Sequence, residues 1–539
     1  MRALVPGFPL VVLALVFAAP ALGSDWKAPT EPKALKREVK ATIKEYDALS
    51  GNHDLIQTRR RRELIRRLGE MQHKDSVKAL RRILQRESDI RARINAMNSI
   101  VQVGDIKAVQ AMYKYVVKRI KKDVLPAYLG RALALTQDEE VKAWIVEKPL
   151  DNPADRIRLS AIEALGKLRY RGGLVALLAI YQKEANKNNS AGDAVIMYET
   201  LRAMGQIGGK EVRETIHLAA QSKDWRMRLA ASEVMLDHFR DPKSLELMGK
   251  LSKAKRQVIR EEAAVSVGRN KVEALFDTLI LTMREGSLRC KWAAYESMKA
   301  ISGQDFSLAP DVWAKWWSDK KRGKLTDEGK LAKGERMSVS TYYNFKIFTD
   351  RVLFVVDVSG SMKWLEVPPQ RIDIAKKELL KAIRSLDEKT LFNVMTFSSD
   401  IHTWKDSGGE VLATPAAVKS ASEWLNGRLL PRGGTNTHGA LMRAIRGNPK
   451  IDTVYFMSDG LPSSGEMEVQ EEILVALRDV NRFRKVKFNT IALVFGKSKI
   501  EKAWKYEDPQ EMGAFMRRIA EETGGSSVVI DKPFFDLKD

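Results

Sequence analysis

Arg351-Val-Leu-Phe-Val-Val-Asp-Val-Ser-Gly-Ser-Met362 decides how this chain is read. Val352 to Val356 form a short, wholly apolar and largely β-branched run, the pattern of a strand buried on both faces. Its end delivers the carboxylate of Asp357 and the hydroxyls of Ser359 and Ser361 into one short turn. Nothing in that turn is basic enough to accept a proton from either serine. Three hard oxygen groups two residues apart are the ligand chemistry of a small divalent cation. The expectation is therefore a cation site that binds rather than catalyses.

Downstream, strand and helix patterns alternate. Strands are expected at 351–356, 391–397, 452–457, 486–495 and 526–530, and helices at 370–386, 414–426, 437–446, 466–482 and 508–523. Such alternation predicts a mostly parallel, doubly wound α/β sheet covered on both faces, Rossmann-like in layout. Ligands of open α/β sheets bind outside the carboxyl ends of the strands. Two further oxygen-bearing segments should reach that edge. One is Gly433-Gly434-Thr435-Asn436, where the glycines permit a tight turn. The other is Met457-Ser458-Asp459-Gly460, directly after the apolar run Thr453 to Phe456. The last helix carries Asp508 as N-cap, Pro509 next, Glu511 in its first turn and Gly524 past its end, with Met512, Phe515, Met516 and Ile519 as its buried stripe.

Asp-x-Ser-x-Ser after one strand, Gly-Gly-Thr in a loop and Ser-Asp-Gly after another strand together resemble the von Willebrand factor A (VWA) domain and its metal-ion-dependent adhesion site. The resemblance spans 350 to the C-terminus. It implies that Ser359, Ser361 and Thr435 contact the metal through hydroxyls, and Asp357 and Asp459 directly or through water. It also implies a protein partner that completes the shell with an Asp or Glu carboxylate, and movement of the last helix coupled to ligand capture. Neutral hydroxyls with few carboxylates suit Mg²⁺, with Mn²⁺ and Ca²⁺ as alternatives. His438 reads as a solvated helix-start residue rather than a ligand. Trp364 reads either as a partner-facing aromatic or as packing.

Ahead of this region, from about Glu31 to Lys321, the pattern is all-helical. Gly69, Gly104, Gly166, Gly205, Gly268 and Gly303 recur at spacings of 35, 62, 39, 63 and 35 residues. Halving the long gaps leaves a period of roughly 30–40 residues, which predicts stacked helix pairs, an α-solenoid. One pair shows the physics. Asn152-Pro153-Ala-Asp155 reads as a helix start with Asn152 as N-cap. Ile157, Ala161, Leu165 and Leu168 then share one face, Arg169 to Gly173 break the helix, and Leu174, Leu177, Leu178 and Tyr181 line the next. The stretch resembles HEAT-type repeats, closed by an aromatic cap from Phe306 to Trp317.

The expected organisation is a signal peptide at 1–23, the helical array at 24–318, a charged linker at 319–336 and the α/β domain at 337–539. Ser338 to Phe348 alternates and predicts an edge strand or hairpin. Arg2, the apolar run Leu10 to Ala19 and Ala21-Leu22-Gly23 give the pattern of a cleaved export signal. No later stretch is long enough to span a bilayer. A single cysteine, Cys290, and hence no internal disulfide, fits a bacterial envelope better than a eukaryotic extracellular space. It reads as a buried small residue. The location expected is periplasmic, cell-surface or secreted.

The net charge of +23 is uneven: residues 341–539 hold 29 Lys/Arg against 27 Asp/Glu, and 1–340 hold 63 against 42. Basic runs such as Arg59 to Arg62, Lys118 to Lys122 and Lys320 to Arg322 would suit an acidic glycan or phospholipid. A solvated helical surface is the simpler account of them, and export argues against nucleic acid. There is no Gly-x-Ser-x-Gly elbow, no P-loop, no His-Glu-x-x-His and no paired Cys-x-x-Cys. The reading is a non-enzymatic adhesion or scaffold protein, with an accessory subunit of an ATPase or secretion complex as the alternative.

Overall fold

The computed structural model describes residues 26–51, 55–186, 191–324, 340–343, 345–363, 370–406, 409–494 and 509–531. The signal segment, most of the linker, Trp364 and Asp508 lie outside the described residues. The chain divides into a helical unit up to Arg336 and a sheet-bearing unit from Met337 onward.

Seventeen described α-helices run from Pro32 to Lys321. Alternate helices stack on one another. Ile90–Val103 packs on Leu125–Leu133, which packs on Asp155–Leu168, then Ala191–Ile207, Trp225–His238 and Gln257–Arg269. The intervening helices, such as Ile106–Val117 and Lys210–Ala220, form a second layer. This is the solenoid logic: no helix buries its stripe alone, and each neighbour covers the next.

The recurring glycines serve two purposes. Gly69 and Gly268, and likewise Gly130 outside the recurring set, lie inside helices where the next layer approaches closely. A Cβ would stand 2.6 Å from Ser99 Cβ at Gly69, 2.5 Å from the Ser160 carbonyl at Gly130 and 2.5 Å from Ser297 Cβ at Gly268. The facing serine then donates to the carbonyl four residues before each glycine: Ser99 to Ile65 (3.1 Å), Ser160 to Pro126 (2.9 Å) and Ser297 to Ala264 (2.8 Å). Gly104 and Gly303 instead follow helices in left-handed backbone, with φ of 78° and 73°. The 30–40-residue period thus superposes close approach on helix termination.

Asn152 departs from expectation. The helix begins at Asp155, and its N-cap, Ala154, makes no side-chain cap bond. The Asn152 side chain accepts from Ala154 N–H (3.0 Å) and donates to the Tyr113 hydroxyl (2.9 Å), a turn ahead of the helix rather than its cap. At the array's end Phe276, Phe306, Trp313, Trp316 and Trp317 pack into one aromatic cluster, with Trp313 Nε1 donating to the Ser307 carbonyl. Cys290 is buried, its thiol directed at the Gln257 carbonyl.

In the second unit, β1 (Thr341–Tyr342) and β2 (Phe345–Lys346) form a hairpin of their own. The main sheet holds β3 (Arg351–Asp357), β4 (Leu391–Phe397), β5 (Ile401–Thr403), β6 (Val411–Leu412), β7 (Thr453–Ser458), β8 (Lys487–Leu493) and β9 (Ser527–Ile530). Its order is β5-β4-β3-β7-β8-β9, with β6 also on β4. All pairs from β4 through β3, β7 and β8 to β9 are parallel, and β5 and β6 run antiparallel to β4. The five expected strands and five expected helices are all present. β5 and β6 escape a period-2 reading because two or three residues carry too little pattern.

Alternation along β3 sorts the core. Val352, Phe354 and Val356 face helices Arg371–Arg384 and Pro415–Arg428 and the hairpin tyrosines. Leu353 and Val355 face helices Thr437–Arg446, Gln470–Asn481 and Pro509–Thr523, and Met512, Phe515, Met516 and Ile519 are buried there as expected. Successive strands after β3 are added on one side as β4, then on the other as β7. This reversal opens a crevice at the carboxyl end of β3 and β7.

Candidate metal centre

Asp357 closes β3, is fully buried, and accepts from the Ser359 amide at 2.7 Å on one oxygen and the Ser458 hydroxyl at 2.5 Å on the other. The chain then tightens into a 3-10 turn, Gly360–Lys363, with Met362 N–H bonding the Ser359 carbonyl. That turn brings the Ser359 and Ser361 hydroxyls to 3.1 Å of each other. Ser361 donates to Asp459 Oδ1 at 2.8 Å, linking the ends of β3 and β7.

The Thr435 loop reaches the same turn through its backbone. Gly360 N–H donates to the Gly433 carbonyl (3.0 Å), and Arg432 N–H to the Val358 carbonyl (2.8 Å). Gly433 holds φ of 70°, which only glycine adopts readily, and this swings Thr435 inward to near-complete burial. Thr435 is pinned by Ser463 on both backbone groups, at 3.0 Å to its N–H and 3.1 Å from its carbonyl. Asn436 then caps helix Thr437–Arg446 through Gly439 N–H. Asp357, Ser359, Ser361 and Asp459 therefore form one hydrogen-bonded cluster, with the Thr435 loop bonded to the turn they share. His438, expected as a solvated helix-start residue, is instead buried in the first turn of helix Thr437–Arg446, 3.8 Å from the exposed Glu466 carboxylate.

Two participants, Ser399 and Arg371, lie outside the motifs, and a third, Ser458, sits inside one without a role assigned to it there. Ser458 holds Asp357. Ser399 holds the Gly434 N–H at 2.9 Å. Arg371, first residue of helix Arg371–Arg384, donates from Nη1 to Asp459 Oδ2 at 2.9 Å in a fully buried ion pair. A capping box between Gln370 and Asp373 fixes the start of that helix and hence the place of Arg371. The capping box was legible in principle, but a lone arginine 88 residues from the aspartate it pairs with carries no signal of its own.

Burial pushes the Asp357 carboxyl above the usual carboxylate range, and the charge of Asp459 pushes it further, against the Ser458 and Ser359 hydrogen bonds. Burial raises Asp459 too, opposed by Arg371 and Ser361. Arg371 bonds Asp459, whereas Asp357 is held by a hydroxyl and an amide, and the two neighbouring carboxylates repel when both are ionised. Two carboxylates and neutral hydroxyls within one cluster fit a small, hard divalent cation. Among the described residues no group of three or more His, Cys, Asp or Glu converges, so hydroxyl donors are integral to any such fit.

Curated relatives of this chain include inter-alpha-trypsin inhibitor heavy chains. Heavy chain H2 of Mesocricetus auratus is 33% identical over 131 residues, 22% of this chain and 13% of that protein. Heavy chain H3 of Bos taurus is 38% identical over 94 residues, 17% of this chain and 10% of that protein. The chain thus spans a small part of the length of the curated relatives it matches. A solved von Willebrand factor type A protein from Catenulispora acidiphila aligns at 22% identity and a TM-score of 0.27, over 34% of this chain and 38% of that one. The profile of the von Willebrand factor type A domain family matches residues 350–501. The chain therefore carries a VWA domain at 350–501, preceded by a helical array.

Proposed function

We propose that this protein is a non-enzymatic, metal-dependent protein-binding scaffold. A VWA domain suggests protein interaction, and the observation that carries the metal dependence is the buried cluster of Asp357, Ser359, Ser361 and Asp459 beside the Thr435 loop. When bound, a divalent cation would supply positive charge and an open position for an oxygen anion from outside. Mg²⁺ suits the donor set best, with Mn²⁺ or Ca²⁺ as alternatives. The chain's own residues do the rest. Ser458 and the Ser359 amide orient Asp357, Ser361 and Arg371 orient Asp459, and the Gly433 turn presents Thr435. A protein ligand offering an Asp or Glu carboxylate is the partner this arrangement accommodates.

In this reading the helical array is HEAT-type and acts as the scaffold, and the protein works at the cell envelope after export. Among the described residues no helix is long and apolar enough to cross a membrane. An accessory role beside an ATPase or secretion complex uses the same site. The experiment is calorimetric titration of Mg²⁺ into the protein and its Asp357→Ala variant, followed by pull-down from envelope extract with Mg²⁺ or EDTA. The reading holds if the wild type alone binds Mg²⁺ and if EDTA and Asp357→Ala release the same partner. It fails if the folded wild type takes up no divalent cation.

A further inference from the structure

Arg371 puts a fixed positive charge inside the cluster that the metal-binding reading concerns, and the inference below rests on that reading. Its guanidinium is buried and bonds Asp459 Oδ2 at 2.9 Å, while the other oxygen of Asp459 accepts from Ser361. A surface arginine would leave little trace in such a site, because water screens it. A buried one acts at low effective dielectric, where each unit charge counts.

The charges of the cluster can be summed directly. Asp357 and Asp459 supply two negative charges and Arg371 one positive. With a divalent cation the cluster carries one net positive charge; without Arg371 it would be neutral. We infer that Arg371 is a built-in counter-charge that weakens the site's hold on its cation and, in exchange, makes the loaded site positive and so selective for an anionic ligand, a carboxylate above all. The same residue keeps Asp459 in place while no cation is bound, because an ion pair that is buried and hydrogen-bonded holds its partner where a lone carboxylate would seek water.

A residue that only positions Asp459 makes a different prediction. Shortening or neutralising it would loosen Asp459 and weaken the cation in every variant. A counter-charge separates charge from shape. Arg371→Lys keeps the charge and loses the fork; Arg371→Gln keeps a donor and loses the charge.

The test titrates MgCl₂ into the full chain by calorimetry, as wild type, Arg371→Gln and Arg371→Lys, at one ionic strength, with chloride or acetate as the only anion. The expected result is Mg²⁺ affinity about tenfold tighter in Arg371→Gln, in line with removal of one buried like charge, and within about twofold of wild type in Arg371→Lys. Acetate should strengthen Mg²⁺ binding in the wild type and in Arg371→Lys but not in Arg371→Gln. Affinity in Arg371→Gln equal to or weaker than the wild type overturns the inference while leaving the metal site standing. No Mg²⁺ uptake by the folded wild type overturns both. If Arg371→Gln is unfolded in EDTA, its refolding by Mg²⁺ is read instead. Recovery at Mg²⁺ concentrations below the wild-type Kd supports the counter-charge, and no recovery at saturating Mg²⁺ overturns it.

Discussion

Gly268 and Gly249 both lie in helices of the array, and alanine at the two positions should move stability in opposite directions. At Gly268 a methyl group would stand 2.5 Å from Ser297 Cβ and 2.6 Å from Ser297 Cα. The Cα cannot rotate away, so helix Leu288–Ser302 must shift outward by about 1 Å to restore ordinary van der Waals contact. Overpacking of this kind costs about 1–3 kcal/mol. The shift also strains the 2.8 Å bond from Ser297 to the Ala264 carbonyl, a buried interaction worth about 1 kcal/mol. Helix propensity returns about 1 kcal/mol for replacing glycine. The net expectation is destabilisation by about 1–3 kcal/mol. At Gly249, in helix Pro242–Leu251, nothing lies within 4 Å of the added methyl. Only the propensity gain remains, so Gly249→Ala should stabilise by about 0.5–1 kcal/mol. A repeat array need not unfold in one step, so the readout is amide hydrogen exchange in helices Gln257–Arg269 and Pro242–Leu251 together with urea unfolding followed by helical signal. Equal stability of Gly268→Ala and Gly249→Ala would refute the close-approach argument.

Two further outcomes follow from charges. In EDTA, the Asp357 and Asp459 carboxyls titrate above their unfolded values, so the folded domain holds protons that the unfolded chain has already released. Stability of the VWA domain should therefore fall as pH rises from about 4 toward neutral, and saturating Mg²⁺ should restore about 2.7 kcal/mol at a hundredfold excess over Kd. Hydrogen exchange of the β3 and β7 amides at pH 5 and 7.5 checks this, and greater protection at the higher pH in EDTA would contradict it. In the array, Arg60, Arg61 and Arg62 are engaged by Glu45, Glu87 and Asp89, and Arg66 and Arg67 by Glu63. Lys118, Lys121 and Lys122 are exposed. Retention on an immobilised acidic polysaccharide should then drop several-fold on replacing those three lysines by glutamate and be nearly unchanged by Arg60→Gln; the reverse ranking would return the polymer reading to the arginine run.

The parts of this protein legible from sequence are those whose cause is local. The β3 run reads as a strand because five consecutive apolar residues leave no exposed face, and the Asp-x-Ser-x-Ser turn reads as one oxygen-rich cluster because its donors are neighbours in the chain. The stripe of the last helix reads correctly for the same reason, since Met512, Phe515, Met516 and Ile519 repeat at helical spacing. Legibility ends where the cause is a partner from elsewhere. The Arg59 to Arg62 run looks like an offered basic patch, yet buried Arg61 pairs with Glu87 from 26 residues on, in a cluster that also takes the Tyr46 hydroxyl. Asn152 looks like a cap, yet Tyr113 offers its amide a competing partner and the helix starts later.

Arg371 is the sharpest case, because under the counter-charge inference it would change the function proposed from the motif and not only its surroundings. The motif alone describes two carboxylates awaiting a cation, which would make the site a tight metal holder neutral when filled. With a guanidinium already on Asp459, the same motif becomes, under the counter-charge inference, a site that would hold a cation loosely and present a positive charge once filled. Those are different devices, a structural metal against a contact point for an acidic partner, and the five motif positions are identical in both. The distinction lies in a helix start fixed by a capping box, Gln370 with Asp373, that places one arginine over the edge of the sheet.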